Sequence, residues 1–260
     1  MPLRLPTANK FFHPDARRLG LALIPAALGL AVLAWWALAR WGGLPAFILP
    51  PPDAVARRFG LSLADGSLLR HTAATLSEVL LGLLAGGLAA TFTGYWLARY
   101  RWLENLLSPY LVAFQAVPVV AIAPLIIIWF PRGLFAKVLI CALTVFFPVL
   151  VNTIVGLRAV PENLRDLLRA LHASRAQTLR YLEIPAALPV FLGGLRIGAA
   201  LSVIGAEVGE FVGAERGRGF LINVGRGQFA TALVFVAVFT LILLAVTLYG
   251  AVFLAEKLIR

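Results

Sequence analysis

Glu207 and Glu210 stand three residues apart in a long apolar run, so a helix there carries both carboxylates on one face. Ionisable side chains in such a run are costly and face a cavity or a partner. Two close carboxylates either line a gate at the outer end of the helix, or one holds a proton because the two charges repel. Such a face disfavours an anionic solute and suits a neutral or cationic one. Gln115 and Asn152, polar residues in two other apolar runs, are candidates for the same path, with interhelical hydrogen bonding as their competing role. Arg196 falls on nearly the same side as Glu207 but eleven residues earlier, too distant to pair at about 1.5 Å rise per residue. Glu78 is read as complementing the positive end of its own helix.

No phosphate loop of the form G-x-x-x-x-G-K-[ST] occurs, nor H-E-x-x-H, G-x-S-x-G or zinc-ligand spacing. The chain is therefore not expected to be an enzyme, to hydrolyse ATP alone, or to bind a cofactor or metal. The single cysteine, Cys141, has no partner for an internal disulfide and reads as a small buried apolar residue.

The elements that position these residues follow from composition. Of 260 residues, 61% are hydrophobic and 13% charged, against about 25% charged in soluble proteins. Six apolar runs are long enough to cross a bilayer core: 19–41, 75–98, 106–130, 135–155, 186–211 and 231–254. Only helices satisfy every backbone polar group of such runs in hydrocarbon, which predicts an all-α membrane protein with six spans. The organisation expected is a basic arm over residues 1–18 and one membrane domain over 19–260. A cleaved leader is the alternative for the first run. Its length and the bulky Trp35-Trp36 before Ala37-Leu38-Ala39 favour a retained span.

The net charge of +11 sits in loops between runs, so it points to membrane orientation and not to nucleic acid. With the N-terminus inside, Arg4, Lys10, Arg17, Arg18, Arg99, Arg101, Arg158, Arg165, Arg169, Arg175, Arg180, Lys257 and Arg260 are cytoplasmic. Arg40, Arg57, Arg58, Arg70, Arg132, Lys137, Arg216, Arg218 and Arg226 are then outside, and the bias favours this orientation with both termini inside.

Within the runs, small residues recur four apart at Gly82 and Gly86, Gly194 and Gly198, and Gly205 and Gly209, a stripe that serves helix packing or dimerisation. Pro118, Pro124 and Pro148 bend central spans, either to shape a cavity that opens and closes or as ordinary kinks. Between the first two runs, Asp53 is placed to cap a short helix through Val55, Ala56 and Phe59, read as a lateral anchor on the outer surface.

The segment 157–185 is the one long polar insert. Val160-Pro161-Glu162 starts a helix, with Leu164, Leu167, Leu168 and Leu171 on one face and Glu162, Arg165, Asp166 and Arg169 largely on others. At two to three turns this helix is marginal alone in water. Its leucine face either seats in a partner's groove or lies on the lipid surface. His172 falls at the helix end, where no second His or Cys stands near enough to suggest a metal or catalytic role; His13 and His71 belong to other loops. Ser174 with Gln177 forms a capping box that opens a second helix through Leu179 and Leu182, and Pro185 follows near the start of span five.

At Asp166-Leu167-Leu168, three residues, His172, nine residues and Leu182-Glu183-Ile184-Pro185, the insert resembles the cytoplasmic loop of ABC-importer permease subunits, Glu-Ala-Ala, three residues, Gly, nine residues, Ile-x-Leu-Pro. Only the proline is literal; the spacing is kept throughout. His172 stands where the pattern has Gly, a position suited to the left-handed conformation at a helix end, and the turn is expected to persist. Gln115-Ala-Val-Pro118 through Pro124, Ile128-Trp129-Phe130, Phe146-Phe147-Pro148, Asn152-Thr153 and Gly209-Glu210-Phe211-Val212-Gly213-Ala214 extend the resemblance to the nitrate/sulfonate/taurine type. The Gln-Ala-Val-Pro element and Ala206-x-x-Gly209-Glu210-Phe211 are most similar to importers of thiamine-precursor pyrimidines and related heterocycles such as riboflavin.

The resemblance implies a type I importer permease fold in the inner membrane, forming the path for a small solute. It implies a coupling helix over Leu164, Arg165, Asp166, Leu167, Leu168, Arg169, Ala170, Leu171, His172, Ala173, Ser174 and Arg175, with the leucines as anchors and arginines at the rim. Implied partners are two copies of an ATP-binding subunit, which would hold ATP and Mg, an extracytoplasmic solute-binding protein, membrane lipid and a second copy of this chain as a homodimer. The alternatives are a sulfonate, taurine or nitrate importer of the same architecture, and a stand-alone ion-coupled transporter or channel using Glu207 and Glu210.

Overall fold

The computed structural model describes residues 14–130 and 133–259, so most of the expected N-terminal arm, together with Arg132, lies outside the described residues. Among the described residues every regular element is helical. In chain order they are α1 (Pro14–Trp41), α2 (Pro52–Ala64), α3 (Ser67–Arg99), α4 (Arg101–Ala116), α5 (Val119–Trp129), α6 (Leu134–Arg158), α7 (Glu162–Ala170), α8 (Arg175–Thr178), a π-helical turn (Leu179–Glu183), α9 (Ile184–Gly213), α10 (Arg218–Gly227) and α11 (Thr231–Ile259).

Five helical segments are long and apolar enough to span a bilayer alone, and α4 with α5 makes a sixth only as a pair bent by 93°. The expected third span is therefore broken. The cause is local: Pro118 disfavours the helical region for the residue before it, and Val117 sits in extended geometry at φ −79°, ψ 121°. Pro124 and Pro148, by contrast, lie inside continuous helices.

Helices α3, α6 and α9 form the centre. The small-residue stripes make this possible: a Cβ on Gly86 would stand 2.5 Å from the Ala142 carbonyl oxygen, and one on Gly205 2.8 Å from Thr144 Oγ1 and 2.9 Å from the Cys141 backbone. Of the two roles considered for these glycines, packing within the subunit is the one seen. Val79, Cys141, Val203, Ala206, Leu221 and Ala237 form one cluster of the core, and Ala90, Val145, Val149 and Leu150 another. Cys141 is fully buried.

On the flank, Trp35 of α1 stacks on Phe235 of α11 at 5.3 Å and donates its indole N–H to the Pro50 carbonyl at 3.1 Å. Helix α2 is more than a surface anchor, since Val55 is buried with Leu68 and Val236. Its cap is Pro51; Asp53 makes no cap bond and pairs instead with Arg57, 3.1 Å away on the next turn.

Candidate functional site

Helix α7 starts on Pro161, whose missing N–H costs nothing there, and carries Glu162 in its first turn. It ends in a Schellman turn. The Ala173 N–H reaches the Leu168 carbonyl at 2.9 Å, the His172 N–H reaches Arg169 at 3.0 Å, and His172 adopts φ 54°. The left-handed conformation thus persists with histidine in the glycine position. Directly after, the capping box forms: Gln177 N–H donates to Ser174 Oγ at 3.2 Å, and Ser174 N–H donates to Gln177 Oε1 at 2.7 Å.

The second helix does not stop before the membrane. It runs through the π turn into α9, giving one helical segment over Arg175–Gly213. Pro185 supplies the physical reason, because it offers no N–H to the Tyr181 carbonyl and its ring crowds that turn, which widens locally. The insert is therefore a helix–turn–helix whose second arm is the foot of a span.

Arg165 ties the first arm to the membrane body. Its Nη2 donates to the Leu157 carbonyl at 2.7 Å, and its Nε lies 3.7 Å from the buried Glu183 carboxylate, which Arg99 of α3 approaches to 3.5 Å. Asp166 and Arg169 pair at 2.7 Å on the exposed side. With α7 held this way, Leu164, Leu167 and Leu171 remain 39%, 55% and 66% exposed, and Leu168 is half-buried. Ala170, His172, Ser174 and Arg175 are exposed too, and Ala173 is half-buried. The result is a rigidly mounted apolar ridge.

A cavity of about 440 Å³ fills the crook of the α4–α5 bend. Its wall includes Gln115, Phe114, Thr144, Phe146, Phe147 and Leu201, and no residue lining it is charged. Gln115 is the one amide side chain on that wall. Asn152 does not share that wall. It is half-buried on the α6–α9 seam, where its amide donates to the Pro148 carbonyl at 2.8 Å.

Glu210 lies elsewhere again, fully buried among α3, α9 and the start of α10. Its carboxylate accepts from Thr75 Oγ1 at 2.7 Å and from the Gly219 N–H at 2.6 Å. Thr75 accepts in turn from the Arg218 N–H at 3.0 Å. Beside it, buried Glu78 pairs with Lys137 of α6 at 2.5 Å. Glu78 thus serves a cross-helix pair instead of its own helix end, and Lys137 lies in the first turn of α6. Glu207 is half-buried one turn earlier and makes no ion pair among the described residues. The two glutamates thus sit in different settings, Glu207 half-buried and Glu210 buried where it ties the start of α10 to α3. Arg218 at that tie is itself buried, and burial brings its guanidinium down to about 10.

Three features escaped the sequence reading. Helix α10 is not legible in the sequence, because Gly213, Gly217, Gly219, Gly225 and Gly227 hide its pattern. The Glu78–Lys137 pair was announced only by the rule that an intramembrane charge needs a partner. Arg196 pairs with Glu256 of α11 at 3.2 Å, beneath the rings of Tyr249 and Phe253.

The architecture is that of a polytopic helical membrane protein with an exposed apolar ridge on the helical hairpin between two of its spans. Residues 79–260 match the family described as binding-protein-dependent transport system inner membrane component, and the chain belongs to that family. It is a permease subunit of an ABC importer. It is 50% identical over 236 residues to the riboflavin transport system permease protein RibX of Chloroflexus aurantiacus, covering 91% of this chain and 88% of that one. It is 34% identical over 242 residues to the formylaminopyrimidine transport permease protein ThiX of Halalkalibacterium halodurans, covering 92% and 95%. The taurine transport system permease protein TauC of Escherichia coli is 31% identical over 242 residues, covering 91% and 87%.

Proposed function

We propose that this permease carries a flat, neutral heterocycle of the flavin or thiamine-precursor pyrimidine kind, driven by ATP hydrolysis on a separate subunit. The observation that carries the coupling half of this reading is the exposed Leu164–Leu167–Leu171 ridge on a helix braced by Arg165. An apolar ridge that its own subunit leaves uncovered suits the groove of a soluble motor. In this reading two ATP-binding subunits hold ATP and Mg, both termini of the permease face the cytoplasm, a solute-binding protein delivers cargo outside, and two permease copies enclose the path. The segment Leu164 to Arg175 transmits the stroke.

The cargo half rests on the uncharged crook cavity. Phe114, Phe146 and Phe147 offer ring faces and Gln115 an amide, which suits an aromatic heterocycle. A sulfonate would meet no cation there. The names of the riboflavin and formylaminopyrimidine relatives support the same choice.

Affinity purification of the tagged permease from cells that also express its ATP-binding subunit tests the coupling half. The subunit accompanies the wild type and is lost from L167D/L168D. Equal recovery with both forms would contradict docking on the ridge.

A further inference from the structure

Between the coupling hairpin and the inner ends of the spans lies a second cavity, of about 470 Å³, within the roughly 300–1,000 Å³ range of small-ligand sites. Four guanidiniums line it: Arg99 from α3, Arg165 and Arg169 from α7, and Arg175 from the foot of the α9 span. One carboxylate, Glu183, stands among them. A single Glu183 oxygen serves both Arg99, which donates to it at 3.5 Å, and Arg165, 3.7 Å away, and both contacts are long. The Arg165 Nε is buried and donates to nothing. Arg169 is engaged by Asp166 on an exposed face, where solvent screens such a pair and leaves it weak. Arg175 takes no ion pair among the described residues.

The geometry points to a binding site for a phosphate-bearing anion in this cavity, bridging the coupling helix to the span ends. Several planar guanidiniums converging on one space match the oxygens of a phosphate group, which they grip through paired N–H donors. Tyr95 and the Thr178 hydroxyl add polar edges to the same wall. Glu183 and the Asp166 partner of Arg169 set two carboxylates against four guanidiniums, so the cluster keeps an excess of positive charge. The bound anion neutralises that excess. Because Arg165 and Arg169 ride on α7 while Arg99 and Arg175 do not, occupancy ties the helix to the spans and stiffens the hairpin. The phosphate has two possible sources at this depth, a lipid headgroup or a soluble cytosolic phosphate compound. The site extends beyond the transport reading above, and its test needs neither ATPase nor cargo.

The full chain is placed in nanodiscs of phosphatidylcholine alone and titrated with pyrophosphate by calorimetry. In a second arm, nanodiscs containing phosphatidylglycerol are used, and lipid retained by the protein is counted by native mass spectrometry. Each arm compares the wild type with R169Q/R175Q and with R101Q, an arginine at the same membrane side that does not line the cavity. A tenfold or greater loss of pyrophosphate affinity in R169Q/R175Q alone supports the site with a soluble ligand. Loss of retained phosphatidylglycerol in R169Q/R175Q alone supports it with a headgroup as the ligand. No binding in either arm, or an equal loss in R101Q, overturns it. Arg169 and Arg175 are exposed and make no core contact, and unchanged gel-filtration profiles confirm that the variants fold.

Discussion

Arg165 reaches from α7 to the carbonyl of Leu157, 2.7 Å away, and so fixes α7 to the last turn of α6. That carbonyl is an orphan of its helix end, and the guanidinium satisfies it while also facing Glu183 at 3.7 Å. One side chain thus spans three elements. R165A is expected to keep the ATPase subunit docked and hydrolysing but to cut solute uptake several-fold, because the stroke is no longer transmitted. R165K is expected to restore little, since one ammonium cannot present the planar fork to both acceptors. Uptake and ATP hydrolysis, measured on the same proteoliposomes, separate this outcome from simple loss of docking.

Glu78, buried, and Lys137, half-buried, form an ion pair between α3 and α6. E78A leaves the ammonium without a partner and is expected to cost about 3–5 kcal/mol, the usual penalty for breaking such a pair from one side. E78A/K137A is expected to recover a large part of that loss. Thermal unfolding of the four forms in detergent gives the coupling as a double-mutant cycle. Additive effects would show that the pair contributes nothing.

Gly205 lets α9 lie against α6. G205A places a methyl group 2.9 Å from the Cys141 Cα and is expected to destabilise the subunit by about 1–3 kcal/mol through overpacking. The oligomeric state is expected to stay as it is, because the contact lies within one chain. Light scattering together with a melting curve checks both points.

His172 holds a left-handed conformation that costs a non-glycine residue about 1–2 kcal/mol. H172G relieves that strain and returns roughly 0.5–1 kcal/mol of it as lost chain freedom, so little net change in stability or transport is expected. H172V is expected to disrupt the turn, since a β-branched residue tolerates this region worst. Transport rates of the two variants decide it.

How much of this was written in the chain depends on the range of the cause. The geometry of the α7–α8 hairpin is legible in detail because its causes are local: Pro161 at the first turn, the Ser174–Gln177 box, and a left-handed residue between them. The spans were legible from apolar length, but the α4–α5 break was read only as a bend. A proline announces a kink, whereas a 93° turn also depends on what the next helix packs against, here Ala136 and Ile140 of α6. The fate of Glu210 was not legible at all from helical spacing. Its partners Thr75 and Gly219 come from α3 and from a glycine-rich helix whose pattern cannot be read. Distance along α9 was a sound reason to separate Arg196 from Glu207, yet the true partner, Glu256, sits at the far end of another span.

Coupling through the ridge is tested most directly in proteoliposomes containing the permease with its ATP-binding subunit, solute-binding protein and radiolabelled riboflavin or formylaminopyrimidine. Accumulation is expected only with ATP inside the compartment that α7 faces, and L167D/L168D is expected to lower it at least tenfold. Normal accumulation by L167D/L168D, or uptake by the permease alone without nucleotide, would contradict the account.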